Sequence, residues 1–284
     1  MARLLFDRAT KDMKTRFQFP VFNWRKILVL SAAICLLGSG VAQAMKKKQK
    51  APPPSDLPTQ INSLVTQLYG VPLDESDPIT SKVQKLALDH LQQWMANRVP
   101  DDVEVRRELE AAFAKLHYPF FCQPVTFGVP WKGGLVIGAG YTLGWSDYDR
   151  VNVVALFEGR EGKCRLLDVT HFVPHTDLHF ETLPPLKWDD FRFFAYGNRL
   201  GKSQLRLSAT LYALQGDKLK SLWEIHDAYD GKIDFEKDKV TIRYLKEEEY
   251  IQEQTHGRNP PRHQATYLLT PDGMQIQSDL EIPF

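Results

Sequence analysis

Apolar residues recur at intervals of three and four between about residue 57 and residue 117. Residues spaced in this way lie on one face of an α-helix. Glycine or proline at positions 70, 72, 78 and 100 divides the pattern, because these residues mark the ends and beginnings of helices. The sequence therefore predicts three amphipathic helices, whose apolar positions are Ile61, Leu64, Val65 and Leu68; Val83, Leu86, Leu91 and Trp94; and Val105, Leu109, Ala112, Phe113 and Leu116.

From about residue 118, apolar and polar residues alternate and turn residues recur about every ten positions. The clearest hairpin turns at Gly216 and Asp217, where glycine in the first turn position suits a type II′ turn. The last hairpin turns at Pro271, Asp272 and Gly273. Alternation places Leu219, Ser221, Trp223 and Ile225 on one face of the first hairpin, and Met274, Ile276, Leu280 and Ile282 on the buried face of the last.

Five further strands are predicted, at residues 135–143, 151–157, 165–169, 191–196 and 240–245. Because the helices come first and the strands follow, the order is that of an α+β fold rather than an alternating α/β fold. We predict one globular domain over residues 57–284, helical over 57–117 and predominantly antiparallel β over 118–284. The strands are expected to form a sandwich or a strongly curved sheet. A chain of 284 residues that is 43% hydrophobic can bury such a core.

A separate apolar run occupies residues 27–41, directly after two basic residues. Its length of about 15 residues fits the apolar region of a signal peptide and is shorter than the roughly 20 residues that span a bilayer. Ala42 and Ala44 supply the small side chains that signal peptidase accommodates. We predict that residues 1–44 are a signal peptide cleaved after Ala44, and that the protein is extracytoplasmic, either periplasmic or secreted.

The residues after this run leave alternatives open. Basic residues beside an apolar segment favour the cytoplasmic side of a membrane, so the lysines at positions 46–48 oppose cleavage. An uncleaved membrane anchor over residues 27–44 is the second hypothesis, with membrane contact confined to residues 27–50, and a buried core helix is the third. Residues 45–56 combine lysines with three prolines and are predicted to form an extended linker.

Removal of residues 1–44 changes the charge balance of the chain. The whole chain has 36 Lys and Arg against 35 Asp and Glu, and the removed segment holds seven basic and two acidic residues. The remaining domain is mildly acidic and its basic residues are scattered, so we do not expect it to bind nucleic acid.

Cysteine usage agrees with an oxidising compartment. Cys35 lies in the predicted signal peptide, which leaves Cys122 and Cys164 as one candidate disulfide. Closing a loop of about forty residues would stabilise the fold by about 3 to 4 kcal/mol in the chain-entropy estimate. The alternative is two unpaired buried thiols, because sequence does not bring the two Cα atoms within reach of each other.

The densest group of polar functional side chains lies between residues 168 and 181, where His171 is the first of three histidines. If a short helix begins near residue 174, His175 and His179 face the same way and can share a transition metal. Asp177 or Glu181 would then orient them. If the segment is extended, the two histidines lie about 13 Å apart and cannot share an ion. A polar surface loop is the alternative interpretation.

Other motifs favour ordinary structure. The glycines between residues 133 and 144 precede a strand rather than a helix, so they lack the helix N-terminus of a dinucleotide loop. Ser146 departs from the pattern of a serine hydrolase. Residues 255–263 are predicted to form an exposed loop with Arg258, Arg262 and two histidines at its tip, which either binds an acidic partner or is simply solvated. The carboxylates that fit turns better than a calcium loop are Asp147, Asp149, Asp227, Asp230, Asp234 and Glu236.

Three functional hypotheses follow. The first is a non-enzymatic extracytoplasmic module that binds a ligand or an envelope partner. The second is a metal-dependent enzyme that uses the segment from His171 to Glu181, and the third is a structural protein anchored in the membrane. No motif assigns a cofactor.

Overall fold

In a computed structural model of the chain, the described residues are 56–69, 71–72, 76–116, 124–143, 151–172, 177–200 and 204–282. The predicted signal or anchor segment lies outside these residues, as does all of the predicted linker except Asp56. Among the described residues, no helix has the length and apolarity needed to cross a membrane.

The helical pattern near residue 57 forms three helices, as predicted. Their bounds are α1 Leu57–Thr66, α2 Asp77–Met95 and α3 Asp102–Ala112. The Asp56 side chain accepts a hydrogen bond from the Thr59 backbone N–H, and Asp101 forms a capping box with Glu104. These contacts satisfy N–H groups that the first helical turn leaves without backbone partners.

Eleven strands and a further helix follow in the described part of the chain, which is therefore mostly β. The bounds are β1 Val125–Trp131, β2 Gly134–Leu143, β3 Val151–Arg160, β4 Lys163–Phe172, β5 His179–Thr182, β6 Arg192–Leu200, β7 Leu205–Gln215, β8 Lys218–Phe235, β9 Lys239–Leu245, α4 Glu247–Thr255, β10 Arg262–Thr270 and β11 Gly273–Ile282. The prediction of an α+β fold with mainly antiparallel strands is confirmed. Sequence reasoning missed β1, β5 and α4.

The strands form two antiparallel sheets in which sequence neighbours are also spatial neighbours. Strands β1 to β4 make a four-stranded sheet, and β5 to β11 make a seven-stranded sheet. The predicted turn at Gly216 and Asp217 joins β7 to β8 and leaves Gln215 paired with Lys218. Gly216 has a φ of +65°, which glycine adopts without steric cost.

Three apolar clusters hold these elements together. The first joins α1, α2 and α3 to one face of the four-stranded sheet, with Ile137 and Phe157 among its residues. The second joins the opposite face of that sheet to the seven-stranded sheet, through Leu156 and Phe193 among others. Because β2 and β3 are buried on both faces, their neighbouring residues contribute to different clusters.

The third cluster joins strands β6 to β11 of the seven-stranded sheet. β8 pairs with β7 over its first part and with β9 over its last, with register shifts in both ladders. Asp227 and Asp230 near the middle of β8 have φ values of +58° and +42°. Bulges bend a strand and increase its twist. As a result, Trp223 in β8 lies 5.2 Å from the Tyr267 ring in β10, measured between ring centroids, and both belong to this cluster.

Two predicted strand faces are wrong. Leu219 contacts the second cluster, whereas Trp223 and Ile225 contact the third, because a register shift between them moves side chains to the other face. In β11, Ile276 and Leu280 are 54% and 60% exposed rather than buried. β11 is the edge strand of its sheet, and its ladder with β10 changes register between Ser278 and Ile276, which interrupts the simple alternation.

Candidate functional site

Four connections between strands meet at one cleft. They are the β1–β2 turn, the segment between β5 and β6, the β7–β8 turn and the β10–β11 turn. The cleft has a volume of about 440 Å³, within the range of small-molecule sites. Apolar, polar and charged residues line it. They are Trp131, Lys132, Leu186, Lys187, Asp189, Asp190, Ala213, Leu214, Gln215, Gly216, Leu222, Pro271 and Asp272.

Trp131 and Lys132 line this cleft, and a second tryptophan, Trp188, lies beside it. Trp131 is the last residue of β1, and Trp188 lies between the lining residues Lys187 and Asp189. Trp188 is 78% exposed. The Lys132 Nζ atom lies 4.3 Å from the centre of the Trp131 ring and 5.4 Å from that of Trp188, within cation–π range of both. The two indole rings therefore share contact with one ammonium group.

The segment that carries Trp188 is held by a buried arginine. Arg192 Nε donates to Asp190 Oδ2 at 3.0 Å, and Arg192 Nη1 donates to the Thr270 carbonyl at 2.7 Å. Asp190 Oδ2 also accepts from the Leu186 backbone N–H at 3.0 Å. These bonds tie the β5–β6 segment to the β10–β11 turn, so two walls of the cleft are fixed to each other.

The β7–β8 turn is attached to the four-stranded sheet by charged groups. Arg165 donates two hydrogen bonds to Asp217, and Asp168 accepts from the Leu219 backbone N–H at 2.9 Å. The hydrogen bonds from Arg165 hold the pKa of Asp217 below its usual value, and the nearby Lys132 charge contributes. This wall of the cleft is therefore also positioned by contacts outside the cleft.

Charges of both signs line the cleft. Lys132 and Lys187 face three carboxylates, of which Asp190 is already paired with Arg192. The remaining lining carboxylates are Asp189 and Asp272. The cleft thus offers hydrogen-bond donors and acceptors in near balance.

The metal-site hypothesis concerns a different part of the fold. His175 lies outside the described residues. His179 and Glu181 are in strand β5, so this part of the segment is extended rather than helical. His179 Nε2 lies 3.2 Å from Asp177 Oδ2, and the Asn198 backbone N–H donates to the other Asp177 oxygen. Among the described residues, no group of three or more His, Cys, Asp or Glu side chains could hold a metal ion.

His171, the first histidine of that segment, lies away from His179 along the chain, in β4. Its Nε2 atom is 3.0 Å from Gln84 Oε1 in α2. It therefore contacts the helical layer.

The carboxylates near turns mainly form ion pairs. Asp227 pairs with Arg199 at 2.6 Å, and Asp230 and Asp234 pair with Arg262 and Arg243. Asp147, Asp149 and Ser146 lie outside the described residues.

Among the glycines, Gly133 lies in the β1–β2 turn, and a Cβ atom at Gly138 would overlap the Phe127 ring.

The predicted loop at residues 255–263 is shorter than expected. α4 ends at Thr255, and β10 begins at Arg262. His263 is buried and its Nε2 lies 2.7 Å from Glu249, while Arg258 pairs with Glu253. The prediction that His263 stands at an exposed tip is wrong, because it belongs to the sheet and faces α4.

Cys164 is a half-buried residue of β4, and burial raises the pKa of its thiol to about 11. Its predicted partner Cys122 and the signal-segment Cys35 lie outside the described residues. The pairing of Cys122 with Cys164 therefore stays a prediction.

Sequence reasoning did not find the cleft. Trp131 and Lys132 are neighbours in the chain, but Trp188 lies more than fifty residues further on and belongs to no motif. A local signal is Trp188 itself, three residues after Pro185, where an apolar side chain belongs to no periodic strand.

The chain was compared with family models, curated proteins and solved structures, and no match was found in any of the three comparisons. The fold and the cleft themselves therefore carry the functional argument.

Proposed function

We propose that this protein is a non-enzymatic, extracytoplasmic binding module, and that the cleft beside Trp131 and Trp188 is its ligand site. The observation that carries the proposal is the 78% exposure of Trp188 next to a cleft of about 440 Å³. Large apolar side chains left exposed beside a concavity are typical of binding sites.

The support of the cleft favours binding. Its walls are strand connections fixed by the Arg192–Asp190 and Arg165–Asp217 pairs. Loops held on a rigid scaffold are where proteins place recognition residues, and a fixed site loses little conformational entropy when a ligand binds.

The chemistry of the lining also favours binding over catalysis. The lining residues that the structure describes include no Ser, Thr, Cys or His side chain. A hydroxyl or thiol nucleophile activated by an imidazole base needs such side chains. The metal-dependent enzyme remains an alternative that depends on His175, and no contact among the described residues favours it.

The proposed location rests on the sequence. Residues 1–44 suit a cleaved signal peptide, and the alternative is an anchor over residues 27–44 that presents the domain on the linker at 45–56. Mass measurement of the protein from its native envelope tests this. A chain that begins at Met45 supports cleavage, and a chain that keeps residue 1 overturns it in favour of the anchor.

The binding function is tested by labelling the purified protein with 5-fluorotryptophan and recording its fluorine NMR spectrum. The chain has six tryptophans, and Trp131→Phe and Trp188→Phe assign the two resonances of interest. The probes are a neutral tetrasaccharide, inorganic phosphate, tetraglutamate, tetralysine and tetramethylammonium. We expect at least one probe to shift the Trp188 resonance in a saturable way. If none shifts either resonance, the binding proposal is overturned.

A further inference from the structure

We infer that the ligand of this cleft is an uncharged oligosaccharide whose sugar ring stacks on the exposed indole of Trp188. This inference rests on the proposed binding function and names its ligand class. It follows from the position of Lys132, from the charge balance of the lining and from the kind of polar groups that the lining offers.

A cationic ligand is disfavoured because its best position is already occupied. Ammonium groups bind over the faces of indole rings. The Lys132 Nζ atom lies 4.3 Å from the Trp131 ring centre and 5.4 Å from the Trp188 ring centre. A ligand cation that approached either ring would be repelled by this ammonium, whereas an uncharged ligand would not.

An anionic ligand is disfavoured by the carboxylates. Asp189, Asp190 and Asp272 line the same cleft as the two lysines, and Asp217 adjoins it. A desolvated charge is stable only where an opposite charge or strong hydrogen bonds compensate it. With the lysines balanced by carboxylates, a ligand anion would gain little attraction and would meet like charges.

A neutral polyhydroxylated ligand uses both kinds of polar group. A hydroxyl donates one hydrogen bond and accepts others, whereas a carboxylate only accepts and an ammonium only donates. Asp189 and Asp272 can accept from sugar hydroxyls, Lys187 can donate to them, and the Gln215 amide can do both. Mixed donors and acceptors around an apolar surface therefore suit sugar hydroxyls better than a single ionic group.

The exposed indole provides the apolar surface. Its face carries partial negative charge, and the C–H bonds on one side of a sugar ring carry partial positive charge, so the two surfaces attract each other. The ring of Trp188 is open to solvent and sits in a segment held by Asp190 and Arg192. A rigid platform of this kind can hold a sugar ring without prior rearrangement.

The fluorine NMR titration distinguishes this ligand class from others. The saccharide probes are maltotetraose and the tetramer of N-acetylglucosamine, and the charged probes are tetralysine, tetraglutamate, inorganic phosphate and tetramethylammonium. We expect at least one saccharide to shift the Trp188 resonance at concentrations where the charged probes do not. If charged probes shift it and neither saccharide does, the ligand class is wrong and the binding function stands. If no probe shifts it, both proposals fail.

Variants make the test specific to the platform. Trp188→Ala should weaken saccharide binding about tenfold, which corresponds to about 1.4 kcal/mol, while Trp188→Phe should retain part of the affinity. Tyr69→Ala removes a comparably exposed aromatic ring elsewhere, 59% exposed on the protein surface, and should leave the affinity unchanged. Equal affinities for Trp188→Ala and the parent protein, measured by calorimetry, would overturn the inference.

A second variant tests the role of Lys132. Lys132→Gln removes the resident ammonium, so tetramethylammonium should bind this variant more tightly than it binds the parent protein. Preferential binding of tetramethylammonium by the parent protein would show that the cleft selects cations, contrary to the inference.

Discussion

Arg192 donates a hydrogen bond through Nε to Asp190 Oδ2 at 3.0 Å while only 1% of its side chain is exposed. The same guanidinium reaches the Thr270 carbonyl in the neighbouring wall of the cleft. A fully buried charge persists only where partners compensate its lost hydration. Arg192 therefore links the β5–β6 segment to the β10–β11 turn, although its two partners lie eighty residues apart in the sequence.

Replacing Arg192 should destabilise the fold strongly. Arg192→Met keeps the length of the side chain but leaves Asp190 without its cation and the Thr270 carbonyl without its donor. We expect a loss of about 3 to 5 kcal/mol in the free energy of unfolding, measured by urea denaturation. The matched control is Arg243→Met, which removes an arginine from an exposed pair with Asp234 and should cost less than about 1 kcal/mol. Similar losses for both variants would contradict the assigned role of Arg192.

A close approach of two backbones accounts for Gly197. A Cβ atom at this position in β6 would overlap the Asp177 carbonyl oxygen, which cannot swing aside as a side chain can. Gly197→Ala should therefore cost about 1 to 3 kcal/mol in urea unfolding. Gly128→Ala is the control, because the nearest atom there, Asp102 Cβ, would lie 3.6 Å away, in ordinary contact. If Gly128→Ala lowers the free energy of unfolding as much as Gly197→Ala does, the contact with the Asp177 carbonyl is not the cause of the loss.

The pair formed by Asp177 and His179 should make stability depend on pH. The hydrogen bond to Asp177 raises the pKa of His179, with burial opposing it. Burial favours the neutral form of Asp177, but hydrogen bonds from His179 and from the Asn198 backbone outweigh it and lower the pKa of Asp177.

These two directions set the pH window. A raised histidine pKa stabilises the fold fully below the unfolded value of 6.5, and this stability is lost as pH rises through the folded pKa. A lowered aspartate pKa stabilises the fold above the unfolded value of 3.8, and this stability is lost as pH falls through the folded pKa. The pair should therefore contribute most between about pH 4 and pH 6.5.

His179→Gln measures this contribution. The difference in unfolding free energy between this variant and the parent protein should be larger at pH 5.5 than at pH 8.5, because His179 loses its charge as the pH rises. His256→Gln, which replaces an exposed histidine after α4, is the control variant. A difference for His179→Gln that is equal at both pH values would contradict the ion pair.

The thiol of Cys164 should react slowly in the folded protein. With its pKa raised to about 11 by burial, the thiolate fraction at pH 8 is about a hundredfold below that of an unfolded thiol. Alkylation by iodoacetamide should therefore be at least about a hundredfold slower in buffer than in urea. Peptide mapping separates Cys164 from Cys35 and Cys122. A Cys164 peptide that reacts in urea only after a reductant is added would instead show a disulfide, and the mass of the unreduced peptide pair would tell whether its partner is Cys122.

The β-rich part of the fold could be predicted only in part. Turns could be predicted where glycine or proline is required, as at Gly216. The bounds of helices could be predicted from capping residues such as Asp101. The face that each strand buries was not readable where a bulge intervenes, as between Leu219 and Trp223, because one extra residue reverses the alternation.

The sequence by itself determined the three helices, the antiparallel strands and most of the tight turns, because these depend on residues close together in the chain. Tertiary structure alone decided the bend of β8, the exposure of Ile276 and the approach of Trp188 to Lys132. Those features depend on contacts between distant residues, whose pairing is fixed by packing of whole layers and leaves no local pattern.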